Sequence, residues 1–252
     1  MIIDAHVHLP VVEGCISLEQ KRKQLLREMV VNQVDYSIVI SDSADKSEIG
    51  TLDECVSLFE KIDNIYVVGG ISPFYKFQTQ LGKIKAYLER KLLVGIKLIP
   101  GHEDFYLTDE RLNAVYELAV CYNVPVLFHS GWDNCKYGDV SLAAEITKRY
   151  PALKLVCCHC FYPEIEKCKQ LIPFQNVFFD ISSIADDSEK TPEISNWIKE
   201  IILAAPTRVL YSSDYSCCSQ LKHIEFVRGL GLEKTIEDML FWRNAKYVYQ
   251  LI

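Results

Sequence analysis

A membrane span is the first thing missing: no apolar run in the 252 residues approaches the roughly 18 that crossing a bilayer requires, so no membrane partner is expected. A basic surplus is missing too. The chain has 27 lysines and arginines against 34 aspartates and glutamates, a net charge of −7. Proteins that track phosphate backbones need such a surplus to release counterions, so nucleic acid is not an expected partner. The opening MIIDAHVHLP has no basic n-region, apolar h-region or small-residue cleavage site, and a cytoplasmic location is expected. In that reducing setting the ten cysteines read as buried thiols behaving as small hydrophobes, not as a disulfide framework. Pro/Ser linkers, charge blocks and internal repeats are absent as well, so residues 1–252 are read as one domain. Disorder is excluded, because hydrophobic residues make up 49% of the chain, enough to offset the entropy of ordering the backbone.

What is present is a repeated alternation. Apolar, β-rich runs occur at Ile2 to His8, Val34 to Ile40, Ile65 to Ile71, Leu93 to Ile99, Val124 to His129, Leu153 to His159, Asn176 to Ile181 and Arg208 to Ser213. Most are nearly continuous in apolar residues, as strands of a parallel sheet buried on both faces should be. Helices are expected between them: Ser17 to Gln33, with Ser17 and Gln20 in capping-box spacing, and Asp109 to Tyr122, closed by Asn123. Ser141 to Tyr150, Thr191 to Leu203 and Thr235 to Tyr249 are helical by composition, the last with Thr235 and Asp238 as a capping start. Eight strands alternating with helices in a chain of this length indicate an α/β fold of the (β/α)8 TIM-barrel type. A doubly wound sheet would want a Gly-rich first turn, and Leu9 to Gly14 contains no G-x-G-x-x-G.

The six histidines are not scattered. His8, His129 and His159 end expected strands, His6 lies two before His8, and Asp214 follows the last strand. In a parallel barrel these ends converge on one rim, where barrel active sites lie. His6 and His8, two apart, leave the same face of a strand, and simple alternation puts Asp4 on that face too. Taken singly, an H-x-H pair arises by chance, a lone strand histidine is usually a satisfied core group, and Ser213-Asp214 reads as a helix cap. Jointly, imidazoles and a carboxylate with an open position suit a catalytic Zn²⁺, whose purpose would be to activate a water and polarise a substrate oxygen.

The segments IDAHVH, VGIKLIPG, VPVLFHSG, CHC, YSSDYS and RNAKYVYQL, in this order along nearly the whole chain, resemble the amidohydrolase superfamily. More narrowly they resemble its amidohydrolase-related branch, which includes aminocarboxymuconate-semialdehyde decarboxylase-like enzymes. The resemblance implies metal ligation by His6, His8, His129 and Asp214, with Zn²⁺ expected, Mn²⁺ or another divalent ion as the alternative, and one ion rather than two. It implies that Asp214 also accepts a proton, and that His159 orients and protonates the substrate or binds a second ion. Lys97 ends the fourth strand and admits three readings: a carbamate bridging two metals, a contact to a substrate anion, or a structural salt bridge. Where many branch members have glycines after the sixth-strand histidine, this chain has Cys160, Phe161, Tyr162 and Pro163.

Other features read blandly. Cys157, Cys158 and Cys160 alternate faces and cannot share one ion with His159. Cys217 and Cys218 read as rim packing, His102 and Glu103 as a solvated loop, and His223 as a helix residue without a role. Trp132 and Asp133 follow His129 at the rim, and Trp132 is taken as a substrate contact. The expected activity is metal-dependent hydrolysis of a small-molecule amide, ester or lactone, on a substrate that carries a carboxylate. The alternative with the same site is non-oxidative decarboxylation of a small unsaturated or aromatic acid. PHP- or TatD-like phosphoesterase or nuclease chemistry fits less well, because the fourth strand offers Gly95, Ile96 and Lys97 where a glutamate is wanted. A non-catalytic scaffold would keep costly buried polar groups without a role. A homodimer is the default oligomeric expectation.

Overall fold

The computed structural model describes residues 1–11, 17–132, 135–186 and 191–251. The strands are β1 (Ile3–Val7), β2 (Tyr36–Ile40), β3 (Ile65–Gly70), β4 (Gly95–Leu98), β5 (Val126–His129), β6 (Leu155–Cys158), β7 (Val177–Asp180) and β8 (Val209–Leu210). Each pairs in parallel with the next in chain order. The ring closes where the Ala5 N–H donates to the Tyr211 carbonyl at 3.1 Å and the Asp214 N–H to the His6 carbonyl at 2.9 Å. The (β/α)8 barrel read from the sequence is therefore the fold.

Strand alternation explains the apolar runs. Ile38, Ile40, Val68, Leu127, Val156 and Phe178 fill the barrel interior, and Val248 and Tyr249 pack against them. Their neighbours Val39, Val67, Ile96, Val126, Leu155 and Val177 belong to the cluster shared with the surrounding helices. Cys157 falls in the outer cluster and Cys158 in the inner one, as alternation requires. The described cysteines are all free thiols.

Helix α1 (Leu18–Asn32) starts at the expected Ser17–Gln20 capping box and stops at Gln33, whose φ of 57° turns the chain out of the helix. Two helices that the sequence reading passed over follow: α2 (Leu52–Phe59), with a capping box of Thr51 and Glu54, and α3 (Phe77–Glu89). Next come α4 (Asn113–Tyr122), capped by Asn123 at φ 55°, α5 (Val140–Arg149), α6 (Thr191–Ala204) and α7 (Gln220–Gly229). The expected helix Thr235 to Tyr249 is interrupted. It begins after Glu233 as α8 (Lys234–Asp238), widens into a π turn at Met239–Arg243, and resumes as α9 (Asn244–Val248). The Leu240 carbonyl accepts the Tyr211 N–H at 3.0 Å, which diverts it from the helical ladder. Among the described residues no helix is long and apolar enough to cross a membrane.

Candidate active site

The C-terminal rim gathers the residues that the sequence marked. His6 Nε2 lies 3.5 Å and His8 Nε2 3.3 Å from the same oxygen, Oδ1 of Asp214. All three are buried or nearly so. A β-bulge makes this possible: between Asp4 and Val7, β1 spends one residue more than β2 does between Ser37 and Val39. Beyond the bulge His6 and His8 face the mouth together.

The same bulge corrects the expectation for Asp4, which does not share their face. Its carboxylate points outward and accepts from the Ser213 N–H at 2.9 Å, the Ser213 hydroxyl at 2.6 Å and Gln220 Nε2 of α7 at 2.9 Å. Burial raises its carboxyl to about 7. Asp4 thus anchors the residue before Asp214 instead of joining the histidines.

Hydrogen bonds determine how the two imidazoles are presented. His8 Nδ1 is 3.0 Å from the Ile40 carbonyl, which can only accept, so Nδ1 carries the proton. His6 Nδ1 is 2.8 Å from Asp180 Oδ2 at the end of β7. Burial alone would raise the Asp180 carboxyl, but His6 outweighs it and holds it well below the usual carboxylate range. Asp180 also accepts from the Ser182 N–H at 2.7 Å and from the Ser212 hydroxyl. Burial and the Lys97 charge lower the pKa of His6. With Nδ1 engaged on each ring, it is Nε2 that faces the Asp214 carboxylate. Burial would raise Asp214, yet His6 and His8 keep it well below its ordinary value, and Ser183 donates to its other oxygen. Acceptors this close repel unless a proton or cation lies between them, and two imidazoles with a carboxylate are the donor set that divalent zinc-like ions take.

His129 and His159 complete the rim. The His159 ring is 5.3 Å from His6 and 4.8 Å from His129, centre to centre. Its Nδ1 meets the Ser182 hydroxyl at 2.8 Å, and burial lowers its pKa to about 4. Burial and the His159 ring likewise hold His129 far below the ordinary histidine value. His159 and Asp214 both have left-handed backbones, with φ of 62° and 64°. Such conformations are unfavourable outside glycine and concentrate at functional sites. His129 stands apart from the tight His6, His8 and Asp214 group, facing the same cavity.

Two chambers meet at the rim. An inner one of about 270 Å³ is lined by His6, His8, Lys97 and Ile99, and an outer one of about 830 Å³ by Trp132, Asp186 and Cys218. His102, His129, His159, Asp214 and Cys217 line both. The solvated-loop reading of His102 is thereby overturned. The tight turn at Gly101 (φ 96°) carries its ring to within 4.4 Å of His129, centre to centre. Glu103 goes instead to a neighbouring side pocket with Asp42, Ser72 and Tyr75. Trp132 reaches the outer chamber only, its ring tilted against Tyr162 at 4.5 Å between centres and the residue 43% exposed. Asp133 lies outside the described residues. Lys97 is buried inside the barrel, its Nζ 2.9 Å from Cys158 Sγ.

His6, Cys158 and Asp180 form a second cluster of ligand-type atoms. The 2.8 Å His6–Asp180 contact is a hydrogen bond, and the Lys97 ammonium occupies the thiol side. Asp180 escaped the sequence reading, although an acid ending the apolar run VFFD was a visible signal. His223 is structural: its Nε2 accepts from the Ala185 N–H at 3.2 Å and its Nδ1 donates to the Ser219 carbonyl at 2.9 Å.

Comparison with known proteins bears on the family and the fold. The sequence model of the family described as Amidohydrolase matches residues 3–251. No curated protein matches the chain in sequence. An uncharacterised TIM-barrel protein of Bordetella bronchiseptica is similar in structure, with a TM-score of 0.82 at 14% identity over 99% of this chain and 98% of that one. A probable 2-pyrone-4,6-dicarboxylic acid hydrolase of Acinetobacter baumannii, with citric acid bound, gives 0.71 at 12% identity over 99% of each chain. The 5-carboxyvanillate decarboxylase of Novosphingobium aromaticivorans, complexed with manganese and a nitrobenzoic acid, gives 0.68 at 13% identity over 99% of this chain and 95% of that one.

Proposed function

The chain belongs to the Amidohydrolase family, and from that premise we propose that it is a divalent-metal-dependent hydrolase of a small amide, ester or lactone. The observation that carries the reading is the pair of His6 and His8 Nε2 atoms turned onto one Asp214 oxygen. His6, His8, His129 and Asp214 would hold the ion, zinc being the first candidate and manganese, present in one decarboxylase neighbour, the second. When bound, such an ion supplies Lewis acidity, making a water acidic near neutral pH and withdrawing charge from a substrate oxygen.

The protein's own groups do the rest. Asp214, kept ionised and aligned by Ser183, accepts the proton of the attacking water. His159, oriented by Ser182, faces the reacting centre and steadies charge developing on the substrate oxygen. Lys97 contacts a substrate anion from within the barrel, and Trp132, packed on the buried Tyr162, lines the outer chamber.

Lys97 also favours a second reading, decarboxylation, because a buried ammonium in the inner chamber suits a substrate whose carboxylate is the reacting group. One experiment separates the two. Metal-loaded protein is incubated in ¹⁸O-labelled water with aryl esters, lactones and anilides, and in deuterated water with hydroxybenzoates. Hydrolysis places ¹⁸O in a product acid; decarboxylation releases carbon dioxide and places deuterium on carbon. The absence of both outcomes across the two panels would contradict an enzyme of this type for these substrate classes.

A further inference from the structure

Lys97 on β4 and Cys158 on β6 are not neighbours in the sheet, because β5 lies between their strands. In the register Lys97 pairs with Leu127, and Cys158 with His129. Their side chains meet instead inside the barrel, where Lys97 Nζ lies 2.9 Å from Cys158 Sγ. The approach is close for sulfur. Cys160, Cys168 and Cys55 reach their partners at 3.3, 3.4 and 3.9 Å, and all three partners are backbone carbonyls. Cys158 faces an amine.

The pair is sealed from bulk solvent yet stands at a cavity wall. Cys158 is fully buried and Lys97 is 4% exposed, but Lys97 lines the inner chamber of about 270 Å³. A molecule as small as hydrogen peroxide fits that space. Thiols oxidised to sulfenic acids condense with whatever thiol or nitrogen lies against them. Here the group against the sulfur is Nζ.

We propose that peroxide joins Lys97 to Cys158 covalently, a modification that withdraws the ammonium of the inner chamber and ties β4 to β6 across β5. Peroxide first takes the thiol to a sulfenic acid. Sulfur is oxidised by two electrons, one peroxide oxygen stays on it, and the other leaves as water. The Lys97 ammonium then releases one proton to solvent, and its nitrogen lone pair attacks the sulfur. The S–O bond breaks, and the hydroxyl leaves as water with a second nitrogen proton. A neutral N–H on sulfur replaces the charged group. Burial raises the thiol well above its ordinary pKa, so the oxidation is slow and calls for millimolar peroxide over hours. The link itself is independent of the proposed reaction; its effect on turnover rests on that reading.

The test is peptide mapping of the full chain after exposure to hydrogen peroxide in the folded state, alkylation of free thiols and digestion with trypsin. A linked Lys97 is no longer cleaved, so residues 92–111 should appear joined to residues 155–167. Their mass should lie about 2 Da below the sum of the two peptides with Cys158 as a free thiol, two hydrogens having been lost. Fragmentation should place the bond at Lys97 and Cys158. A pair about 14 Da above that sum would hold one oxygen between nitrogen and sulfur, drawn from a second peroxide, and would support the link equally. The joined pair should be absent from Cys158→Ser, from Cys158→Ala and from the parent chain oxidised while unfolded. Two results would overturn the link. One is Cys158 fully alkylated beside a cleaved Lys97 once the exposed Cys121 and Cys217 have been oxidised. The other is Cys158 recovered as a sulfinic acid or a disulfide with Lys97 free. Turnover on either substrate panel should fall in step with the linked fraction in the parent chain and not in Cys158→Ser. Full turnover by linked protein would overturn the effect on the site. No turnover before oxidation would count against the proposed function and leave the mass measurement to decide the link.

Discussion

His8 Nε2 and Asp214 Oδ1 lie 3.3 Å apart at the mouth of the barrel, while the other nitrogen of the same ring donates to the Ile40 carbonyl. A backbone carbonyl on β2 thus decides which nitrogen of an imidazole just past β1 is offered to a carboxylate in the segment after β8. His6 is set in the same way by Asp180 of β7, so the site draws on strands from both sides of the ring closure.

Asp180 should therefore control ion affinity without touching the ion. Asp180→Asn removes the anion that fixes the His6 ring and its tautomer. Losses of outer partners of this kind typically cost 10–100-fold in metal affinity. Competition with a chromophoric chelator should show a weakening in that range with the folded circular-dichroism spectrum retained. An unchanged affinity would remove Asp180 from the site.

The loop that follows β5 depends on Gly131. Its φ is 83°, and a Cβ built there would lie 2.3 Å from the Tyr162 carbonyl oxygen and 2.6 Å from the Tyr162 nitrogen. Both are backbone atoms and cannot rotate away. Gly131→Ala should cost roughly 2 kcal/mol or more, combining a left-handed backbone with a steric clash. Chemical denaturation would measure it, and a loss under about 0.5 kcal/mol would show that this loop shifts freely.

His223 gives a pH signature. Burial lowers its pKa below 6.5, and its Nε2 must stay unprotonated to accept the Ala185 N–H. For a depressed histidine the stabilisation is complete above the unfolded value and is lost as pH falls from about 6.5 through the folded value, since the unfolded chain binds the extra proton. His223→Gln should cost about 1–3 kcal/mol at pH 7.5 by disturbing two buried hydrogen bonds. It should also flatten the decline of stability between about pH 6.5 and 5. Denaturation midpoints at several pH values would check both, and a decline identical to that of the parent protein would exclude His223 as its source.

The barrel was legible because each strand is apolar on both faces, so Val34 to Ile40 and Leu153 to His159 stand out from their surroundings. Rim residues were legible for the same reason: a histidine ending such a run is conspicuous. Less was visible in α3, where only Ile84 and Leu88 are buried among the described core positions, leaving little periodicity to find. The bulge in β1 was invisible, because one extra residue leaves the letters D-A-H-V-H unchanged while turning Asp4 outward. His102 was misjudged for a related reason, since a histidine after Pro100-Gly101 reads as solvated until the turn is seen to fold back over the mouth. Asp180 could have been found by treating β7 as the other strands were treated.

Thr51 offers a check on the helix that the sequence reading passed over. Its hydroxyl accepts the Glu54 N–H, and Glu54 returns the contact to the Thr51 N–H at 2.8 Å. Thr51→Ala should destabilise the protein by about 1 kcal/mol through loss of the α2 cap. A thermal-denaturation shift of a few degrees would follow, whereas no shift would mean that packing of Val56 and Phe59 alone holds the helix.

The central claim is that His6, His8, His129 and Asp214 hold one divalent ion, and metal stoichiometry tests it most directly. Inductively coupled plasma mass spectrometry, on protein purified without chelator or nickel affinity, should find about one zinc or manganese per chain. The value should fall to near zero in His8→Ala and in Asp214→Ala. An ion-free parent protein that stays so after reconstitution, or the same ion content in both variants, would contradict the account.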